Sequence, residues 1–141
     1  MKVSIILVLL ACISVAYGIL GVGRLQSIAV TGTLTCNGQP ARSVKVKLYE
    51  KEKIKDTKLD EGKTDNTGKF YLSGSKREIT NIDPKVNVYH TCNYVGPCYQ
   101  KFGITIPDDF ISAGDTPKKT YDIGTINLAN KFVGQTTDCF N

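Results

Sequence analysis

Alternation of apolar and polar residues at every second position is the feature that most limits the folds open to this chain. From Ser27 to Cys36, the residues Ile28, Val30, Leu34 and Cys36 fall on one face, and Ser27, Thr31, Thr33 and Thr35 on the other. An extended strand gathers such a set on one side, whereas a helix scatters it around the axis. The pattern recurs. Val44, Val46 and Leu48 point one way while Lys45, Lys47 and Tyr49 point outward; Phe70 and Leu72 share a face, as do Val86, Val88, His90 and Cys92, then Phe102, Ile104 and Ile106. Between these runs lie Asn37-Gly38-Gln39-Pro40, Asp65-Asn66-Thr67-Gly68 and Asp83-Pro84. Their residues tolerate positive φ or cannot continue a ladder, so they reverse the chain.

Other segments are read more loosely. Glu50 to Glu61 is dense in charge of alternating sign, with only Ile54 and Leu59 apolar, and reads as a solvated connection with room for a helical turn. Gly62 to Asp65 is predicted as a short strand. Ser75 and Glu78 have the spacing of a capping box. Pro107 stops a strand, and Asp108 to Ala113 is expected to form one helical turn. In the last strand, Thr120 to Ala129, Tyr121 and Ile123 have one parity and Ile126 and Leu128 the other. A bulge at or next to Gly124 would bring all four to one side. Seven strands with turn signals between them predict an all-β, seven-stranded antiparallel β-sandwich.

Residues 1–18 are expected to be a signal peptide: Lys2, then an apolar run from Val3 to Val15, then Ala16-Tyr17-Gly18 before a cut at Ile19. The run is short for a membrane span, which needs about 20 residues. Residues 19–141 then form one β-sandwich domain, secreted to the extracellular region or cell surface, with no transmembrane segment left after cleavage. Loss of Lys2 takes the net charge from +5 to +4, a mildly basic balance that does not suggest a nucleic-acid partner. Cys12 leaves with the signal, so four cysteines remain for two disulfides. Their spacing lacks the two close pairs of a four-thiolate zinc site. Of three possible pairings we expect Cys92 with Cys98, closing a short loop over Gly96-Pro97, and Cys36 with Cys139, pinning the tail.

Several segments together resemble a prealbumin-type sandwich, and more narrowly the nematode transthyretin-like family. They are Val30-Thr-Gly-Thr-Leu-Thr-Cys-Asn-Gly-Gln-Pro-Ala41, Val44-Lys-Val-Lys-Leu-Tyr-Glu50 and Gly62-Lys-Thr-Asp-Asn-Thr-Gly-Lys-Phe70. Ile82-Asp-Pro-Lys85, Tyr89-His-Thr-Cys92, Tyr121-Asp-Ile-Gly-Thr-Ile-Asn-Leu128 and Asp138-Cys139 fit it too. The resemblance implies a disulfide-stapled, transthyretin-like extracellular protein and, for its role, recognition of lipid or of a cell surface. Fold alone licenses no function.

Catalysis is not expected, nor is a cofactor or a metal. Hydroxyisourate hydrolases share the prealbumin fold but carry a Tyr-Arg-Gly-Ser motif, where this chain reads Gln135-Thr-Thr-Asp-Cys-Phe-Asn141. The single histidine, His90, is read as structural, because no nucleophile or oxyanion donor can be named beside it. Thyroid-hormone carriage depends on a tetramer that nothing in the sequence indicates. The expected function is a binding module for an anionic lipid headgroup, such as phosphatidylserine, or for a cell-surface protein. Arg42, Lys45 and Lys47 are the candidate basic contacts on a solvated strand face, and Tyr94 is the candidate loop contact. A carrier of a small hydrophobic ligand is the alternative.

Overall fold

The computed structural model describes residues 23–141, so the expected signal peptide lies outside the described residues. Among the described residues there are ten strands: β1 (Arg24–Cys36), β2 (Gln39–Pro40), β3 (Lys45–Glu50), β4 (Thr57–Lys63), β5 (Lys69–Glu78), β6 (Pro84–His90), β7 (Tyr99–Thr105), β8 (Ser112–Ala113), β9 (Tyr121–Asn127) and β10 (Thr136–Asp138). They form two sheets. The first is built on β1, which pairs antiparallel with β2, β5 and β8 and parallel with β9. The second has the order β10-β7-β6-β3-β4 and is antiparallel throughout.

The alternating residues close the space between the sheets. Ile28, Val30, Leu34, Phe70 and Leu72 from the first sheet meet Val46, Leu48, Val86, Val88 and Phe102 from the second, with Ile82, Ile106 and Leu128 sealing the ends. Each buried aliphatic or aromatic side chain contributes about 1.5–3 kcal/mol. Gly32 falls on the inward parity of β1, and a Cβ there would lie 2.4 Å from the Ile123 side chain. That vacancy is filled from β9, which carries the expected bulge. Thr31 pairs with Asp122 but Thr33 with Thr125, so one extra residue sits on β9, and Gly124 takes φ 78°. The Asp122 carboxylate accepts the Gly124 N–H at 2.8 Å and holds the irregularity. Tyr121, Ile123, Ile126 and Leu128 all reach the core as a result.

The all-β sandwich class holds, with departures in detail. The strand count is ten, not seven, because three strands of two or three residues dress the edges. One pairing, β1 with β9, is parallel. The charged stretch read as a connection contains β4, which begins at Thr57 and absorbs the short strand expected from Gly62. Ser75 and Glu78 cap no helix: both lie in β5, paired to Ser27 and Arg24. The expected helical turn after Pro107 is a single 3-10 turn, Asp108–Phe110.

The disulfide pairing departs as well. Cys36 bonds Cys92, with Cα atoms 5.8 Å apart, and Cys98 bonds Cys139, at 4.5 Å. Cys36 ends β1 and Cys92 follows β6, so the first bond ties the two sheets together at one end of the sandwich. The tail returns as β10 along β7, with Asp138 opposite Tyr99, and this register delivers Cys139 to Cys98. Pairing Cys92 with Cys98 overlooked both the sheet-to-sheet contact and the edge strand.

Candidate functional site

The outer face of the second sheet carries the basic residues in ordered rows. Strand register places Lys63, Lys45, Tyr89, Lys101 and Thr136 side by side across all five strands. The next row holds Glu61, Lys47, Asn87 and Gly103, and the third Lys58, Tyr49, Lys85 and Thr105. These rows contain the lysines 45, 47, 58, 63, 85 and 101 against one glutamate. Further acids reach in from outside the rows: Asp56 pairs with Lys85 at 2.7 Å and Asp138 with Lys101 at 3.5 Å. Lys45 and Lys63 form no ion pair among the described residues, and the Lys45 ammonium donates to Asn141 Oδ1 at 2.8 Å.

Lys47 is outward, as expected, but not solvated. Its side chain is 9% exposed, wedged 3.5 Å from Glu61 and 5.1 Å over the Tyr89 ring. β3 is an interior strand, so neighbours on β4 and β6 close over the middle of its outer face. Lys101 approaches the same ring at 5.7 Å, so two ammonium groups share one aromatic quadrupole. Tyr89 is only 3% exposed, and burial pushes its phenol up to about 12. Burial opposes ionisation of Glu61, yet the nearby charges of Lys58, Lys47 and Lys45 and a hydrogen bond from Lys47 together outweigh it and hold its carboxyl below the usual range. Beside these rows a recess of about 320 Å³ opens over Gly103, lined by Lys85, Asn87, Lys101 and Thr136. Glycine is what leaves it open, since a Cβ there would lie 2.9 Å from Asn87 Oδ1.

The other sequence candidates lie at the Lys45 end of the sandwich. Arg42 is exposed on the rim of a cavity of about 330 Å³ that also borders Ala41, Val44, His90, Leu128 and the Cys36–Cys92 bond. Tyr94 is half-buried, its ring folded over Gly96 and its hydroxyl donating to Pro97 O at 3.0 Å, so it braces its own loop. His90 is buried edge-on against Phe102, and its Nδ1 accepts the Cys92 N–H at 3.1 Å. The proton therefore resides on Nε2, as the neutral tautomer.

Burial lowers the His90 pKa from its ordinary value of 6.5. Between that lowered value and about 6.5 the unfolded chain binds a proton that the folded one declines. Stability therefore falls as pH drops below about 6.5, and this loss ends below the folded pKa. The melting temperature should decline between pH 7.5 and 5, and His90→Gln should flatten that decline. An unchanged slope in the variant would assign the effect to other groups.

One further charged cluster lies at the opposite end of β3. Glu50, Glu52 and Glu78 surround the Lys76 ammonium, which lies 3.1 Å from Glu50 and from Glu78 and also contacts Glu52. Burial works against that charge, but hydrogen bonds to Glu78 and Glu50 outweigh it and raise the pKa above the usual lysine value. The ammonium occupies the space between the carboxylates, and the cluster reads as a structural lock of β5 onto β3.

Sequence reasoning had named Arg42, Lys45 and Lys47 but not Lys63, Lys85, Lys101 or Tyr89. The parity of Lys85 and Lys101 against Val86 and Phe102 already marked them outward. What joined them was strand order, which no local pattern carries.

Comparison with known proteins agrees with this architecture. The transthyretin-like family model matches residues 31–107. Transthyretin-like protein 5 of Caenorhabditis elegans is 42% identical over 139 residues, covering 96% of this chain and 99% of that protein. Transthyretin-like protein 2 of the same organism is 43% identical over 128 residues, covering 85% and 86%. Transthyretin-like protein 33 is 39% identical over 139 residues, covering 94% and 97%. With a family model spanning more than half its length and such relatives aligned nearly end to end, this chain belongs to the transthyretin-like family.

Proposed function

We propose that this protein is a secreted recognition module, not an enzyme, and that the basic outer face of its second sheet engages anionic headgroups on a membrane surface. The row Lys63, Lys45, Tyr89 and Lys101 carries the reading. Among the described residues Lys45 and Lys63 have no ion-pair partner while Lys101 pairs with Asp138, and the five-stranded sheet fixes their spacing. Two disulfides support an oxidising, extracellular setting. Among the described residues no helix is long and apolar enough to cross a membrane.

A lysine close to an anionic bilayer contributes about 1 kcal/mol, so a few of them produce weak, salt-sensitive attachment. The mature domain should bind vesicles containing phosphatidylserine in preference to neutral phosphatidylcholine vesicles. Raising salt to about 0.5 M shortens the screening length to roughly 4 Å and should release it. The double variant Lys45→Glu, Lys63→Glu should weaken binding by about tenfold or more. Its melting temperature should stay close to that of the parent, since neither lysine is in an ion pair. Equal binding to both vesicle types, or binding indifferent to salt, would overturn the electrostatic reading in favour of a protein receptor.

A further inference from the structure

The basic rows end beside an apolar tip that neither the core nor the strand pairing accounts for. Val95 and Phe140 are 102% and 99% exposed, and Tyr99 is 40% exposed. The loop bearing Val95 and the tail bearing Phe140 are unrelated in sequence, yet the Cys98–Cys139 bond holds them at one end of the sandwich. Tyr99 lies opposite Asp138 in the β7–β10 ladder, one residue from each half of that bond. Tyr94 stiffens the loop from within by donating to Pro97 O, and this leaves Val95 as its apolar apex.

The tip is tied to the charged face by two contacts. Lys45 donates to Asn141 at 2.8 Å, and Lys101 pairs with Asp138 at 3.5 Å. The residues on either side of Cys139 and Phe140 are thus attached to the lysine row nearest this end, and Arg42 stands exposed at the same end. Cationic side chains flanking exposed aromatic and aliphatic ones match an anionic bilayer. The charges meet phosphate and carboxylate groups, while the apolar side chains enter the boundary between headgroups and acyl chains. Lysines alone give only salt-sensitive attachment; insertion of apolar side chains adds a contribution that salt does not screen.

We propose that Val95, Tyr99 and Phe140, clamped together by the Cys98–Cys139 disulfide, form a wedge that inserts into an anionic membrane at the Lys45 end of the sandwich. This inference rests on the membrane-surface reading above.

The chain contains no tryptophan, so one introduced indole reports on its own position. Phe140→Trp and Val95→Trp each replace a fully exposed side chain, and neither should disturb folding. On vesicles of phosphatidylserine and phosphatidylcholine, the emission of both variants should shift to the blue and be quenched by lipids brominated on the acyl chain. Ile54→Trp is the control, because Ile54 is 100% exposed in the segment following Glu50, at the opposite end of β3 from Lys45. Its emission should not move. Serine at both Val95 and Phe140 should reduce vesicle affinity about tenfold, with the preference for phosphatidylserine retained.

Salt-sensitive vesicle binding with no shift at positions 95 and 140 would overturn the wedge and leave the electrostatic reading standing. A shift at position 54 alone would place insertion at the wrong end and also overturn it. Failure to bind the vesicles at all would remove both readings together.

Discussion

Serine at both Cys36 and Cys92 is expected to lower the free energy of unfolding by about 4 kcal/mol, a large share of the roughly 5–15 kcal/mol available to a domain of this size. The bond joins residues 56 apart in sequence, and in the unfolded chain it removes the freedom of that whole loop. In the folded protein it joins the end of β1 to the end of β6 across the gap between the sheets. Urea titration should show a lower midpoint together with a steeper dependence on denaturant, because the uncrosslinked unfolded state exposes more surface. The second bond spans 41 residues, and loop entropy alone gives it nearly the same value. Serine at Cys98 and Cys139 should nonetheless cost less. β10 is a three-residue edge strand, so the tail can detach and regain freedom without opening the core. Hydrogen exchange should then quicken at residues 136–138 while the amides of β1 and β6 stay protected. Stability within about 1 kcal/mol of the parent for the Cys36, Cys92 variant would mean that the sheets hold their relative position without that bond.

The contrast between the two disulfides shows where sequence reading succeeds and where it stops. β1, β3, β6 and β7 were legible because each has one face on the core and one away from it, and that asymmetry is written in alternate residues. β4 was not. Its alternation is interrupted by the register shift opposite Leu48 and Tyr49, and Leu59, which packs against the core, is its one apolar side chain. The bulge at Gly124 was legible because a change of parity within one strand is a local signal. The parallel contact of β9 with β1 and the return of the tail beside β7 were illegible, since partner choice depends on where distant segments arrive. Cysteine pairing inherits that limit: local parity puts Cys36 and Cys92 on inward faces without saying that those faces adjoin. The candidate site divides along the same line. Arg42 and Lys45 could be chosen as basic residues in a strand and its turn. Lys63 and Tyr89 became neighbours of Lys45, and Lys101 of Tyr89, only through the order β7-β6-β3-β4.

Lys47 is the position where the pattern gave the right direction and the wrong environment, and its substitution separates the two. An outward lysine on a solvated face could be reversed in charge at almost no cost. Here the ammonium is enclosed by Tyr89 and Glu61, with its side chain 9% exposed. Lys47→Glu removes the partner of Glu61, sets two carboxylates side by side across β3 and β4, and places a carboxylate against the face of the Tyr89 ring. Breaking a fully buried pair costs about 3–5 kcal/mol. Glu61 is 41% exposed and can turn toward water, so the expected loss is about 2 kcal/mol. Lys47→Met keeps most of the stem over Tyr89 without adding a carboxylate, and should cost about 1 kcal/mol or less. For a domain of this size a 2 kcal/mol loss lowers the melting temperature by roughly 5 to 10 °C, which thermal unfolding resolves easily. Lys63→Glu, an exposed neighbour one row away, should leave it nearly unmoved. Because Lys47→Glu acts on folding, any drop in vesicle binding it causes must be compared with the methionine variant before the charge is held responsible. If Lys47→Glu proves as stable as Lys63→Glu, the enclosure of Lys47 by Tyr89 and Glu61 contributes nothing to the fold, and its ammonium is available to a ligand.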